Sequence, residues 1–366
     1  MKKILSIAFS AFMALSAMAV ELPKNIYVSD TNGHVQGIAC DKEKGYMYLS
    51  FTTRFIKTDL QGNVIGSIDR VQGHLGAMTL GPDGKVYASL ECKDDAIGKG
   101  IAKHLGIENL SHEQCVFYVA VIDVDKIDRV GIDPEKDDVM TTVCIKEAGK
   151  EYQTKHYGCS GIDGITFAPA FGKKGGKMYL YVAYGIYSDI NRNDNDHQVI
   201  LCYDTKNWSK YETPVVFGEV PTNGPEKPLK KYFVYTGNTS WGVQNMAFDR
   251  NTGRIFMAVY KGSKPEFPNY DLFAVDVAQK PVKAALKGVG EKALTLKLSD
   301  DGLKDEATGV RGWRFKWGST GLCPLGDGQW YISENGKNKE TKIQYCNARL
   351  YNWTGDAAHP FKKVEQ

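Results

Sequence analysis

His74-Leu75-Gly76-Ala77-Met78-Thr79-Leu80-Gly81-Pro82-Asp83-Gly84-Lys85-Val86-Tyr87 is the stretch whose reading decides the fold. A polar lead enters a short apolar strand, Pro-Asp-Gly-Lys turns the chain, and an aromatic, β-branched strand carries it back. Four other segments repeat the entry: His34-Val35-Gln36-Gly37-Ile38-Ala39, Gly161-Ile162-Asp163-Gly164-Ile165-Thr166, Gly242-Val243-Gln244-Asn245-Met246-Ala247 and Gly318-Ser319-Thr320-Gly321-Leu322-Cys323. Turns of the same chemistry follow, such as Asn251-Thr252-Gly253-Arg254 before Ile255-Phe256 and Gly326-Asp327-Gly328 before Trp330-Tyr331-Ile332. A hairpin that recurs at intervals marks a repeat architecture.

Each unit continues into a third strand ending in an acidic or amide residue: Ile56 to Asp59, Val121 to Asp123, Leu201 to Asp204, Phe273 to Asp276 and Leu350 to Asn352. A weaker fourth strand is expected at Val64–Ser67, Met140–Val143, Tyr232–Tyr235, Ala293–Leu296 and Phe361–Val364. Four antiparallel strands per unit make a blade, so the fold expected is an all-β propeller of five four-stranded blades. The later copies lie farther apart than the first two because long loops intervene, and six or seven blades is the alternative count. Asn25–Asp30 stands outside the repeats and is expected to complete the last blade. Ala96 to His112 reads as an insertion with a short helix.

The whole composition agrees. With 38 glycines, 20 tyrosines, 15 phenylalanines and 6 tryptophans in 366 residues, the chain suits a sheet-rich fold with many turns. A net charge of +3 from 46 basic and 43 acidic residues, spread along the chain, argues against a nucleic-acid partner. Lys2 and Lys3, the apolar run Ile4 to Ala14 and Ala17-Met18-Ala19 read as an export signal over residues 1–19, with one propeller domain over 20–366. The protein is therefore expected to be secreted or periplasmic, monomeric and without membrane insertion. In an oxidising compartment Cys92 and Cys115, at the ends of neighbouring strands, are expected to form a disulfide. None of the 8 cysteines has C-x-x-C spacing, so no zinc site is expected.

In a propeller the loops entering the innermost strands and those joining the second strand to the third emerge on one face, around the central channel. The second-to-third connections are long in four of the units, which places function there. His34 and His74 occupy equivalent entries and suit proton transfer. Asp163 is the inner carboxylate, and Glu91 and Glu334 both end second strands. Glycosidases need two carboxylates about 5 to 10 Å apart, which makes His34, His74, Asp163 and Glu334 the catalytic candidates. Gln36, Arg54, Glu91, Tyr184, Tyr187, Trp241, Gln244 and Tyr260 are the candidates for substrate binding, the aromatic residues as a floor for sugar rings. The run Asp189-Ile190-Asn191-Arg192-Asn193-Asp194 concentrates oxygen ligands at alternate positions, as calcium loops do, with Asp189, Asn191, Asn193 and Asp194 as the ligands.

From Gly33 to Trp353 the repeats resemble the broad class of exported bacterial propellers related to NHL-type and six-bladed-propeller repeat proteins, and Gly-Pro-Asp-Gly-Lys-Val-Tyr at 81–87 is the most typical piece. That class includes sugar lactonases, polysaccharide lyases and hydrolases, and non-catalytic binders, so the resemblance implies a fold. A five-bladed count is also similar to the arabinanase-like glycosidases, which implies an inner-strand aspartate in an early blade; Gln36 stands there, and Asp163 alone fits the role. The expected function is a carbohydrate-active enzyme, a glycoside hydrolase or polysaccharide lyase acting on a glycan or other small molecule. A non-catalytic glycan- or protein-binding propeller is the alternative, and a calcium-dependent lactonase or esterase the third.

Overall fold

The computed structural model describes residues 21–30 and 33–365, so the export signal expected at 1–19 lies outside the described residues. Five radial sheets surround one axis. Val35–Asp41, Tyr46–Phe51, Arg54–Asp59 and Val64–Ile68 form the first blade, and His74–Leu80, Val86–Cys92, Val116–Ile122 and Met140–Cys144 the second. Cys159–Pro169, Met178–Ile186, His197–Tyr203 and Lys230–Tyr235 begin the third, Thr239–Asp249, Arg254–Lys261 and Leu272–Asp276 form the fourth, and Leu322–Gly326, Gln329–Lys337 and Gln344–Trp353 the fifth.

The ring is closed by both ends of the chain. Asn25–Asp30 pairs antiparallel with Gln344 to Arg349, and Phe361–Lys363 pairs with Tyr351 to Trp353, so one long strand receives an outer neighbour in two halves. Each pair of adjacent blades buries its own apolar layer. Tyr48 and Phe55 meet Val86 and Ala88 between the first two blades; Val119 and Val121 meet Phe167 and Leu180 at the next junction; Phe256 meets Trp330 between the last two. Because both faces of every blade are covered, a strand such as Val116–Ile122 is buried along its whole length and reads as an uninterrupted apolar run.

Four of the five aligned entries share a physical feature. Antiparallel pairing slips between Val35 and Gly37, between Leu75 and Met78, between Ile162 and Ile165, and between Val243 and Asn245, so the innermost strands bulge where the repeats align. Small residues are required there because the strands crowd the axis: a Cβ on Gly37 would lie 2.9 Å from the Ala77 backbone, and one on Gly321 would lie 2.8 Å from Ile38.

Two expectations need correction. Ala293–Leu296 does not complete the fourth blade; Lys292–Leu296 runs parallel to Lys230–Tyr235, and with Val282–Ala285 it extends the third blade to six strands. The edge at Tyr232, Phe233 and Val234 is apolar and is covered by this hairpin rather than left open. The fourth blade instead borders the short ribbon Leu303–Lys304 with Arg311–Gly312, through a bridge between Leu272 and Trp313. Cys92 and Cys115 are both free thiols. Cys92 stands opposite Val116 in the ladder, so alternation turns Cys115 to the other face: Cys92 packs between blades one and two, Cys115 between blades two and three.

The expected insertion is a helix, Ala96–Leu105, started by the Asp95 carboxylate accepting from the Gly98 amide and ended at Gly106 in the left-handed region. A second helix, Lys146–Thr154, precedes the third blade. Among the described residues, no helix is long and apolar enough to cross a membrane.

Candidate active site at the channel mouth

The expected face is assembled by the segments that enter the innermost strands. His34 and His74 enter the first two blades, Asp163 the third, Gln244 the fourth and Ser319 the fifth. Beneath them Asn245 spans the axis, its amide donating to the Gln36 carbonyl at 2.8 Å and the Ser319 carbonyl at 2.8 Å. This bridge joins three blades and gives the funnel a floor.

Glu91 is 4% exposed and thoroughly engaged. One carboxylate oxygen accepts from the Ile162 amide at 2.8 Å; the other meets Lys93 Nζ at 2.7 Å and His74 Nδ1 at 3.6 Å. Gly161 makes that approach feasible, since a Cβ there would stand 1.9 Å from Glu91 Oε1 and its backbone lies at φ +135°. Burial opposes ionisation of Glu91, but the Lys93 ammonium and the His74 imidazole outweigh it and hold the carboxyl below its usual range. Lys93 also donates to the Ser160 carbonyl at 3.2 Å. The Glu91–Lys93 pair thus fastens blade two to blade three.

Asp163 is the reactive contrast. It is half-buried and accepts from the Gln244 amide at 2.9 Å, while Gln244 also donates to the Trp241 carbonyl at 3.0 Å. Gly76 opens the space beside it, as a Cβ there would come within 2.8 Å of Asp163 Oδ1. Burial and the neighbouring Glu91 charge push the Asp163 carboxyl up to about 7, against smaller opposing effects of His74, Lys93 and Gln244. Near neutral pH it is therefore poised between acid and base. His34 is displaced the other way: burial and the nearby His74 favour its neutral form. Its Nε2 meets Asn335 Nδ2 at 3.3 Å, whereas His34 Nδ1 and His74 Nε2 are buried without hydrogen-bond partners. Buried polar atoms of this kind call for an explanation in a folded protein.

The other sequence candidates separate. Tyr260 reaches the funnel, where burial raises its phenol and Ser319 is its hydrogen-bond partner. Trp241 is 51% exposed at the rim, holds φ +69° and meets the half-exposed Tyr187 edge-on at 6.4 Å. Gln36 contributes its carbonyl to the floor. Tyr184, by contrast, is fully buried in the layer between blades two and three and forms no sugar floor. Arg54 is taken up by Asp69 at 2.7 Å and Asp30 at 3.3 Å, which ties the N-terminal strand to the first blade. Glu334 turns to the ring closure, accepting from the Tyr351 hydroxyl at 2.6 Å and pairing with Lys363 at 2.6 Å. These contacts give Arg54 and Glu334 structural roles.

The proposed calcium loop supplies its own cations. Asp189 caps the Asn191 amide at 2.9 Å, Arg192 grips both carboxylate oxygens of Asp194 at 2.8 and 2.7 Å, and Lys264 holds Asp196 at 2.6 Å. Arg192 and Lys264 occupy the countercharge that calcium would supply. Sequence reading missed the cross-axis role of Asn245, whose only signal was an amide where the other repeats carry Gly or Ala.

At the far end of the channel lies a cavity of about 290 Å3, lined by Ile38, Met78, Phe167, Met246 and Leu322, with Arg250 at its edge. Thr79 and Thr166 also line it, so the cavity mixes polar and apolar surface.

No family model and no curated protein matches this chain. Among solved structures, it is similar to the Dos1 propeller at 12% identity over 90% of this chain and 81% of that one, with a TM-score of 0.33. A protein assigned as a gluconolactonase is matched at 10% identity over 91% and 77%, TM-score 0.35, and a glucose dehydrogenase at 13% identity over 89% and 99%, TM-score 0.37.

Proposed function

We propose that the channel mouth is an acid–base catalytic site for a small, hydroxylated cyclic substrate of the sugar or sugar-lactone type. The observation that carries this reading is the division of charge around the funnel: Lys93 and His74 hold Glu91 ionised, while burial and that Glu91 charge push the Asp163 carboxyl up to about 7, close to His74, whose Nε2 has no partner. A general acid and a general base both work best when their pKa values lie near the working pH. Neutral His34, with its own proton on Nδ1, accepts a proton at Nε2 from attacking water or from the substrate in exchange for the Asn335 hydrogen bond, and protonated Asp163 donates one to the departing oxygen. Gln244 orients Asp163, Asn335 orients His34, and exposed Trp241 offers an apolar face to the ring. Hydrolysis of a lactone or glycoside, and elimination across a sugar ring, are the reactions this pair of groups supports.

The Asn245 floor favours a second reading, a shallow binding site without turnover. Screening the pure protein against sugar lactones and oligosaccharides with product detection separates the two. Asp163→Asn and His34→Ala are expected to lower turnover by about 100-fold or more, with the melting temperature held within a few degrees. Binding that survives in both variants, with no product in the unmutated protein, supports the second reading instead.

A further inference from the structure

The long loop of the second blade brings together a group of side chains that the channel mouth does not use. Asp94 begins the loop, and His112 and Cys115 end it on a single 3-10 turn, three residues apart. Their donor atoms all lie within 4.8 Å of one another. Asp94 Oδ2 is 3.3 Å from His112 Nδ1, and Asp94 Oδ1 is 3.3 Å from Cys115 Sγ. Tetrahedral coordination with zinc bonds of about 2.0–2.3 Å separates neighbouring ligands by roughly 3.3–3.8 Å, and each of these two contacts, one from either oxygen of Asp94, is of that length.

We infer that Asp94, His112 and Cys115 form a binding site for one zinc-like divalent cation, with a fourth position open to water. The surroundings favour this. The Asp94 amide donates to Cys115 Sγ at 3.2 Å, and the Tyr152 hydroxyl donates to Asp94 Oδ1 at 2.8 Å, which orients the carboxylate as outer-shell partners of metal ligands do. The Tyr152 ring also lies against the His112 ring, centroid to centroid 4.9 Å. The turn that carries His112 and Cys115 is fixed by Ser111 and Gln114, whose side-chain oxygen accepts from the Ser111 amide at 2.8 Å. Cys115 is buried while Asp94 and His112 remain about a third exposed, so an ion has a way in. Binding replaces the thiol proton of Cys115 by the metal and releases it to solvent. The spacing His-x-x-Cys, rather than Cys-x-x-Cys, is why counting cysteine pairs overlooks the site.

The test uses the full chain, stripped with chelator and titrated with cobalt(II), and separately with zinc. The expected result is one equivalent of cobalt bound, a thiolate-to-cobalt charge-transfer band, and a zinc-dependent rise in melting temperature. Cys115→Ser loses the band and the thermal shift, and Tyr152→Phe weakens affinity by about 10-fold. Cys92→Ser, on the opposite face of the same sheet, keeps both. Asp94→Asn, which alters charge but not shape, guards against misfolding of the cysteine variant and is expected to lose the thermal shift. Absence of the band in the unmutated protein, or a band that survives Cys115→Ser, overturns the inference.

Discussion

Glu91 in the second blade and Glu334 in the fifth both lie towards the mouth end of second strands, and by position in the repeat they look alike. Their surroundings differ completely. Ser89 and Ser333 mark the channel side of their strands: a Cβ on Gly76 would lie 2.4 Å from Ser89 Oγ, and one on Gly321 would lie 3.0 Å from the Ser333 side chain. Two residues beyond these serines stand Glu91 and Asn335, and both reach a histidine at the mouth. Glu334 is one residue short of that position, so the pleat turns it towards Tyr351 and Lys363. Strand side chains alternate with period 2, and a one-residue offset sends a carboxylate to the opposite face. Chemical type and approximate position in a repeat therefore do not assign a role; the phase of the pleat does.

The largest expected effect tests how firmly Glu91 is placed. Glu91→Ala leaves the Lys93 ammonium with only the Ser160 carbonyl and the more exposed Asp95 at 3.4 Å, and the Ile162 amide without its acceptor. Breaking a buried pair by removing one member costs about 3–5 kcal/mol, to be read from urea denaturation at neutral pH. A loss below about 1 kcal/mol would make Glu91 no different from a surface carboxylate and dissolve the contrast with Glu334.

The second effect is a pH dependence. In the folded protein Asp163 holds its proton up to about 7, whereas the unfolded chain releases it near the ordinary value of 3.8. Between these limits the folded state binds more protons than the unfolded state, so this group lowers stability as pH rises. Asp163→Asn removes that slope, and the variant is expected to gain up to roughly 4 kcal/mol over the unmutated protein at pH 8 while lying within about 1 kcal/mol of it near pH 4. Equal slopes in the two proteins would mean that the Asp163 carboxyl is ordinary and its proton is not available for catalysis.

The blades were readable from sequence because hairpins are local: Pro82-Asp83-Gly84 and Asn251-Thr252-Gly253 specify their turns within a few residues. The ring closure by Asn25–Asp30 followed from an apolar strand with no repeat of its own. Ala293–Leu296 reads as the fourth strand of the wrong blade because its partner, Tyr232 to Val234, lies far off in sequence and pairs in parallel. At the site, the entry residues His34, His74, Asp163 and Gln244 were found by their place in the repeat. Bulges and pleat phase decided what sequence position left open, putting Tyr184 in the core and Cys115 on the face away from Cys92. The Asp94, His112 and Cys115 group escaped because it depends on two ends of a long loop meeting in space.

The smallest effect is the sharpest check on the comparison. Glu334→Gln keeps an oxygen for the Tyr351 hydroxyl and removes only the charge opposite Lys363, whose side chain is 37% exposed. Exposed ion pairs contribute about 0–1 kcal/mol, so unfolding should shift by no more than that, and turnover or ligand binding at the mouth should be unchanged. Asn335→Ala, one residue away, provides the matched control: it removes the partner of His34 Nε2 and is expected to impair the mouth at similar stability. If Glu334→Gln instead lowered activity tenfold while Asn335→Ala did not, sequence position would outrank pleat phase. The fifth blade would then contribute its carboxylate to the site after all.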